Sequence, residues 1–275
     1  MPHWFFVVAM TLYGLLFGSF ANVVIWRVPR GESIVRPGSH CPACEAPIAW
    51  FDNIPVVSWL VLRGGCRACA SRISPRYPLV EAASGALFLA AAVRFGVSWR
   101  AVVAAIVFWL LLVLSAIDLD VLRLPNPLVL ALALVGGVAT LVSELTGVQI
   151  VPLPAEQGSA ILGRPLLSAL VGVALGAGLT ATIAIVYRTV RHRRGLGMGD
   201  VKLLGALGLL LGPYVVMAMF FGSLFGMAAG LTSGHAVRAS ERPMPFGPWL
   251  AAGAVVTILA GSYIWEWYGR VAGLI

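Results

Sequence analysis

Charge is what this chain has least of. Asp, Glu, Lys and Arg together make up 11% of its 275 residues, and only one of the 19 basic residues, Lys202, is a lysine. A soluble domain carries about 25% charged residues, so a surface this poor in charge could not stay wetted, and a soluble globular protein is excluded. Disorder is excluded too, because it requires low hydrophobicity. Here 60% of residues are hydrophobic and the mean hydropathy is +0.93. Cysteine is scarce as well. There are four, all between residues 41 and 69, and they form one local cluster. What is abundant is long apolar runs, and these describe an all-α polytopic membrane protein. The net charge of +8 fits loops facing an anionic leaflet better than it fits nucleic acid, so lipids are expected as partners and nucleic acid is not.

Runs of about 20 apolar residues mark membrane spans. They fall at 4–26, 77–95, 101–118, 125–146, 166–187, 201–211, 213–234 and 247–268, which makes about eight transmembrane helices. The sixth run is short. At about 1.5 Å per residue its length is about half of a hydrocarbon core of about 30 Å, and Gly212-Pro213 breaks the run there. It reads either as a short helix lining a cavity or as part of one kinked helix over 201–220. The opening run lacks a basic stretch before it and has one after it, so it reads as an uncleaved first span.

With eight spans, Arg94, Arg100, Arg164 and Arg270 fall on one side. The other 15 basic residues, including Arg193, Arg194, Arg238 and Arg242, fall on the opposite side. The positive-inside rule then places both termini outside and the 27–76 loop in the cytosol. Seven spans would put Arg238 and Arg242 outside. The expected organisation is a first helix over 1–26, a cytosolic four-cysteine loop over 27–76 and a helical bundle over 77–275. Gly172-x-x-x-Gly176 and Gly222-x-x-x-Gly226 suit close helix contact and are expected to pack within the bundle rather than across a dimer.

Cys41-Pro-Ala-Cys44 and Cys66-Arg-Ala-Cys69 are separated by 21 residues. Two C-x-x-C knuckles at this separation point to a tetrahedral zinc ribbon, each tight turn supplying two soft ligands. A loop of this size and polarity cannot build a large core, so a structural metal would supply its folding energy. Disulfides are disfavoured in a cytosolic loop, and a redox C-x-x-C needs only one pair. His40 abuts Cys41 and reads as a loop residue.

Four carboxylates stand at span ends facing the cytosol: Glu81, Asp118, Asp120 and Asp200. Ionisable groups at membrane depth are functional candidates by default. Asp118 closes the 101–117 run. Asp120 lies about 200° around the same helix, so one wall cannot present both. Asp200 follows Gly195-Leu-Gly197-Met-Gly199 and opens the sixth span, at a depth similar to that of Asp118. Two such carboxylates in a poorly solvated site share a proton and can hydrolyse a peptide, one taking a proton from water and the other polarising the carbonyl. The structural alternative is that Asp200 N-caps its helix and Asp118 ends its own.

These strings resemble the bacterial type IV prepilin peptidases. Gly197-Met-Gly199-Asp200-Val-Lys202 resembles their GxGD motif. Asp118, followed by Pro125-Asn126, resembles their other aspartate motif. The segment Gly18 to Arg27, the frame around Asn53-Ile-Pro55 and Ser74 to Glu81, the two cysteine pairs and Pro245-Phe-Gly247-Pro248 match in order. The resemblance implies a bifunctional enzyme of the bacterial inner membrane. It would cleave the short basic leader of prepilins and type II secretion pseudopilins on the cytosolic side. It would then N-methylate the new N-terminus with S-adenosylmethionine. The catalytic pair carries over to Asp118 and Asp200, with Gly197, Gly199 and Lys202 as supporting motif residues. The rivals are a GxGD peptidase for another substrate, such as preflagellin, and a zinc-ribbon scaffold or transporter without enzymatic activity. Lys202 is expected either to face the aspartate pair or to snorkel to lipid phosphates.

Overall fold

The computed structural model describes residues 2–152, 164–191, 197–232 and 245–271. Glu156, Arg193, Arg194, Gly195, Arg238, Glu241 and Arg242 lie outside the described residues. Among the described residues there are helices and two isolated antiparallel bridges, and no strand. The chain divides into two compact units, Met1–Val113 and Leu114–Ile275.

In the first unit, α1 (His3–Arg27) and α3 (Arg76–Phe95) run antiparallel. Small residues set their distance. Gly14 lies against Phe88 and Gly18 against Glu81 so closely that a methyl group at either would overlap its neighbour. The fully buried Ser84 hydroxyl donates to the Gly14 carbonyl at 2.6 Å, and the Asn22 amide donates to the Tyr77 carbonyl at 3.2 Å. The cysteine segment connects the two helices. Its entrance is pinned by Arg27, 8% exposed, whose guanidinium donates to the carbonyls of Ser33 and Gly38. A 3₁₀ turn, Trp50–Asn53, and the one-turn helix α2 (Val57–Val61) precede the second cysteine pair. α4 (Trp99–Val121) then begins. It starts before the apolar run because the Ser98 hydroxyl accepts the Ala101 amide, and it continues past Asp118 to Val121.

The second unit contains the last turns of α4, α5 (Asn126–Thr146) and α6 (Pro165–Val173), which continues through a π-turn (Ala174–Leu179) into α7 (Thr180–Arg191). It also contains α8 (Met198–Leu211), α9 (Val215–Thr232) and α10 (Gly247–Val271). α8 runs parallel to α5, since Lys202 meets Asn126 and Leu209 meets Thr140. It runs antiparallel to α6–α7: Gly172 lies against the Gly208 carbonyl and Gly176 against that of Leu204. The small-residue pairs are thus used inside the bundle, Gly222 and Gly226 meeting Leu250 and Trp249 of α10.

By length and apolarity alone, seven helices among the described residues can cross a membrane, one fewer than the eight runs read from sequence. The difference lies at Met198–Thr232, which counts as a single 35-residue helix. Within it the chain turns. Gly212 has φ +52°, an uncommon conformation for a residue with a Cβ, and it lies so close to Ser168 that a Cβ would fall on the Ser168 hydroxyl. Gly176 lies against Leu204 of α8 and Val215 of α9 at once. A straight helix would separate those two residues by about 16 Å. α9 therefore returns, and it pairs antiparallel with α10, with Gly226 near Phe246 and Tyr214 near Trp265.

Candidate active site

Asp118 is 6% exposed and lies in the last turn of α4. That helix stops just beyond it because Leu122 takes φ +53°, with its amide still bonded to the Asp118 carbonyl. The chain then passes Leu124 and Pro125 into α5. The Asp118 carboxylate accepts the backbone amide of Gly247 at 3.0 Å. Gly247 is the first residue of α10, so its N–H has no partner inside that helix, and the helix N-terminus favours a negative group. A Cβ on Gly247 would sit 2.7 Å from the Asp118 oxygen, which reserves the position for glycine.

Asp200 is the third residue of α8, and Gly197 is the N-cap. Its side chain reaches back to the Gly197 backbone amide, the arrangement of a capping box. It is therefore not itself the N-cap. Asp118 and Asp200 are near enough to act on each other electrostatically. Leu124 fills the wall beside them: it meets the Cβ positions of Gly199 and of Gly247, each at 3.3 Å. Asp120, two residues from Asp118, is exposed. Lys202, the supporting cation of the motif, lies in the first turn of α8. Its ammonium donates to the Asn126 side-chain oxygen at 3.0 Å, and no carboxylate among the described residues lies within salt-bridge reach of it. Sequence reasoning gave no role to Gly247 or Asn126, although both stand in strings that resembled family motifs.

The four cysteine sulfurs form a separate site in the first unit. All lie within 4.8 Å of one another, and Cys41 and Cys69 are 3.9 Å apart. Such a cluster could hold a metal ion. The two knuckles repeat one geometry. The Cys41 amide donates to Ala46 and the Cys66 amide to Ser71, while the amides of Glu45 and Ala70 return to Cys41 and Cys66. Glu45 and Ala70 both have positive φ, 58° and 55°. Neither is glycine, so the surrounding turn enforces the conformation. The Ser71 hydroxyl lies 3.1 Å from the Cys69 sulfur and 3.5 Å from that of Cys41. That hydroxyl, with the Ala43 and Cys44 amides, holds the Cys41 thiol down at about 6. Arg67, inside the second knuckle, grips Asp52 with two bonds of 2.7 and 2.6 Å and thereby holds that carboxyl below its ordinary range. His40 bonds the Gly38 carbonyl and is not part of the cluster.

Known proteins agree with this division. Residues 12–95 match the bacterial peptidase A24 N-terminal domain, and residues 105–231 match the type IV leader peptidase family. The chain is 35% identical to the prepilin leader peptidase/N-methyltransferase of Stutzerimonas stutzeri, over 98% of its own length and 96% of the relative's. It is 34% identical to that of Aeromonas hydrophila, over 96% and 94%. Against the Bacillus subtilis protein of the same name it is 32% identical, over 95% and 97%. No solved structure matches. Near-complete coverage at this identity, together with both domain matches, means that the chain belongs to the type IV leader peptidase family.

Proposed function

We propose that this protein removes the leader from type IV prepilins and type II secretion pseudopilins, using Asp118 and Asp200, and N-methylates the amine so released. The observation that carries the reading is the pair itself: two aspartates at one end of the α4–α5–α8–α10 group, each held by a backbone amide. One backbone amide holds each carboxylate. The pair shares one proton. One carboxylate takes a proton from the attacking water while the other polarises the scissile carbonyl, and the proton returns to the leaving amine. Leu124 and the buried end of α4 keep bulk water from one side of the pair.

The same reading places the protein in the bacterial inner membrane as eight passes, α8 and α9 being separate ones, with the aspartates at the cytosolic face. A 14-residue α8 spans about 21 Å, shorter than a hydrocarbon core of about 30 Å. Cys41, Cys44, Cys66 and Cys69 hold a zinc ion that cross-links the two knuckles and takes no part in hydrolysis. S-adenosylmethionine supplies an electrophilic methyl group. The four-cysteine segment argues against a preflagellin peptidase, which the resemblance describes as lacking it.

The test is purified protein in lipid nanodiscs with a prepilin and the methyl donor, followed by mass spectrometry. Leader loss and the gain of one methyl are expected, and Asp118→Asn or Asp200→Asn should lose the first. An aspartate variant that still cleaves at the wild-type rate refutes the assignment.

A further inference from the structure

A buried carboxylate remains that peptide hydrolysis does not use. Glu81 lies in the second turn of α3, is 9% exposed and packs against Gly18 of α1. The Val56 amide donates to one of its oxygens at 2.7 Å, and the Ser19 hydroxyl faces it. Among the described residues no basic side chain lies within salt-bridge reach of it. An ionisable group buried at the end of a membrane span without a charged partner is a functional candidate by default.

A second observation concerns what holds it. Val56 has φ +61° and ψ −48°, and the Val57 amide bonds the Pro55 carbonyl at 2.6 Å. This is the γ-turn that is rare and strained, with a β-branched residue at its centre. Such a conformation persists where the surroundings enforce it, commonly at functional sites. The strain aims one N–H at Glu81. Ser19, Asn22 and Asn53 add polar groups at the same end of the α1–α3 pair, where the cysteine segment joins it. Asn22 joins the two helices through the Tyr77 carbonyl, and Ser19 meets Asn53 of the cysteine segment, so the polar groups converge where that segment meets the helix pair.

We propose that Glu81 receives the α-ammonium exposed on the pilin by leader removal and takes its proton for N-methylation. This rests on the N-methyltransferase reading above. An α-amine with an ordinary pKa of about 7.7–8.0 is largely protonated at neutral pH and has no lone pair to attack with. The proton passes from the nitrogen to the Glu81 carboxylate. The nitrogen lone pair forms the new N–C bond, the methyl–sulfur bond of the donor breaks, and its electron pair leaves with sulfur as a thioether. Glu81 then returns the proton to water. Val56 and Ser19 hold the carboxylate in place, and they are positioning residues. A bound amine also explains why so buried a carboxylate has no cation of its own.

The test uses full-length protein in nanodiscs, with a prepilin to read leader removal and a pre-cleaved pilin to read methyl transfer. Glu81→Gln keeps an oxygen for the Val56 amide, so leader removal and metal content should match wild type. Methyl transfer should fall by about 100-fold or more, the scale of a lost general base, and saturating methyl donor should not restore it. Glu81→Asp, which keeps a carboxylate, should retain more transfer than Glu81→Gln. Wild-type transfer in Glu81→Gln overturns the inference. So does rescue by excess donor, which would assign the carboxylate to the donor, and so does equal loss in both variants, which would make Glu81 a matter of shape. A wild-type protein that cleaves without methylating overturns the methyltransferase reading and this inference together.

Discussion

The Lys202 ammonium donates to the Asn126 side-chain oxygen at 3.0 Å and ties the first turn of α8 to the first residue of α5. Both residues are close in sequence to an aspartate: Lys202 follows Asp200 by two positions, and Asn126 is reached from Asp118 through Leu122 and Leu124. The bond therefore closes a ring of short segments around the pair. It is solvent-exposed, and exposed polar pairs contribute little to stability, so its effect belongs in positioning. Lys202→Met and Asn126→Ala should each slow leader removal about tenfold, and the double variant should be no slower than either, because both break one bond. Additive losses in a double-mutant cycle would show that the two residues act separately.

The aspartates should be separable from their neighbour. Asp118→Asn retains an oxygen for the Gly247 amide, and Asp200→Asn retains one for that of Gly197, so both variants should fold and insert. Both should lose leader removal by about 10³-fold or more, since neither amide can hold and transfer the proton. Asp120→Asn, at an exposed position, should stay within about threefold of wild type. Cleavage rates with matched membrane insertion decide this.

Gly247 should be as intolerant as the aspartates for a steric reason. A methyl group there would lie 2.7 Å from the Asp118 oxygen, so either α10 or the carboxylate must move. Displacement of about 1 Å at a reacting group costs about 100-fold in rate. Gly247→Ala should therefore lose about that much leader removal, while Gly137→Ala, whose added methyl meets nothing within 4 Å, should leave the rate unchanged. Parallel assays of the two variants test the geometry against a general intolerance of the bundle to alanine.

The helices were legible because each apolar run is local and about the thickness of a membrane. α1, α3, α5 and α10 begin within a residue or so of where hydropathy rises. α4 starts earlier because Ser98 caps it, a signal that a hydropathy count ignores. Met198–Thr232 is apolar throughout, and hydropathy marks only the Gly212-Pro213 break. The reversal becomes visible when Gly176 is found touching both Leu204 and Val215. The cysteine pairs were legible for the same local reason, though the positive φ at Glu45 and Ala70 was not, as neither residue type favours it. The partners of the aspartates were illegible in principle. Asp118 and Gly247 are 129 positions apart, and Lys202 and Asn126 are 76 apart, and no periodicity reports such pairs.

The cysteine site should hold about one zinc ion per chain, measured by elemental analysis of purified protein. Replacing any one of Cys41, Cys44, Cys66 or Cys69 with Ser should abolish retention and expose the segment to proteolysis. Ser71→Ala should only weaken metal binding, by about tenfold, because its hydroxyl supports the sulfurs of Cys69 and Cys41 from outside the ligand set. The pH dependence has a definite sign. Cys41 is held at about 6, below the ordinary thiol value of 9.0, so its thiolate form is favoured in the folded segment. In the metal-free segment that contribution is fully present above pH 9 and is lost as pH falls through about 6. Acidification should release the metal, because protons compete with it for the thiolates. Ser71→Ala should move the onset to higher pH, because the hydroxyl is the largest of the groups holding Cys41 down. An onset unchanged in Ser71→Ala would mean that the hydroxyl does not set the protonation of this site.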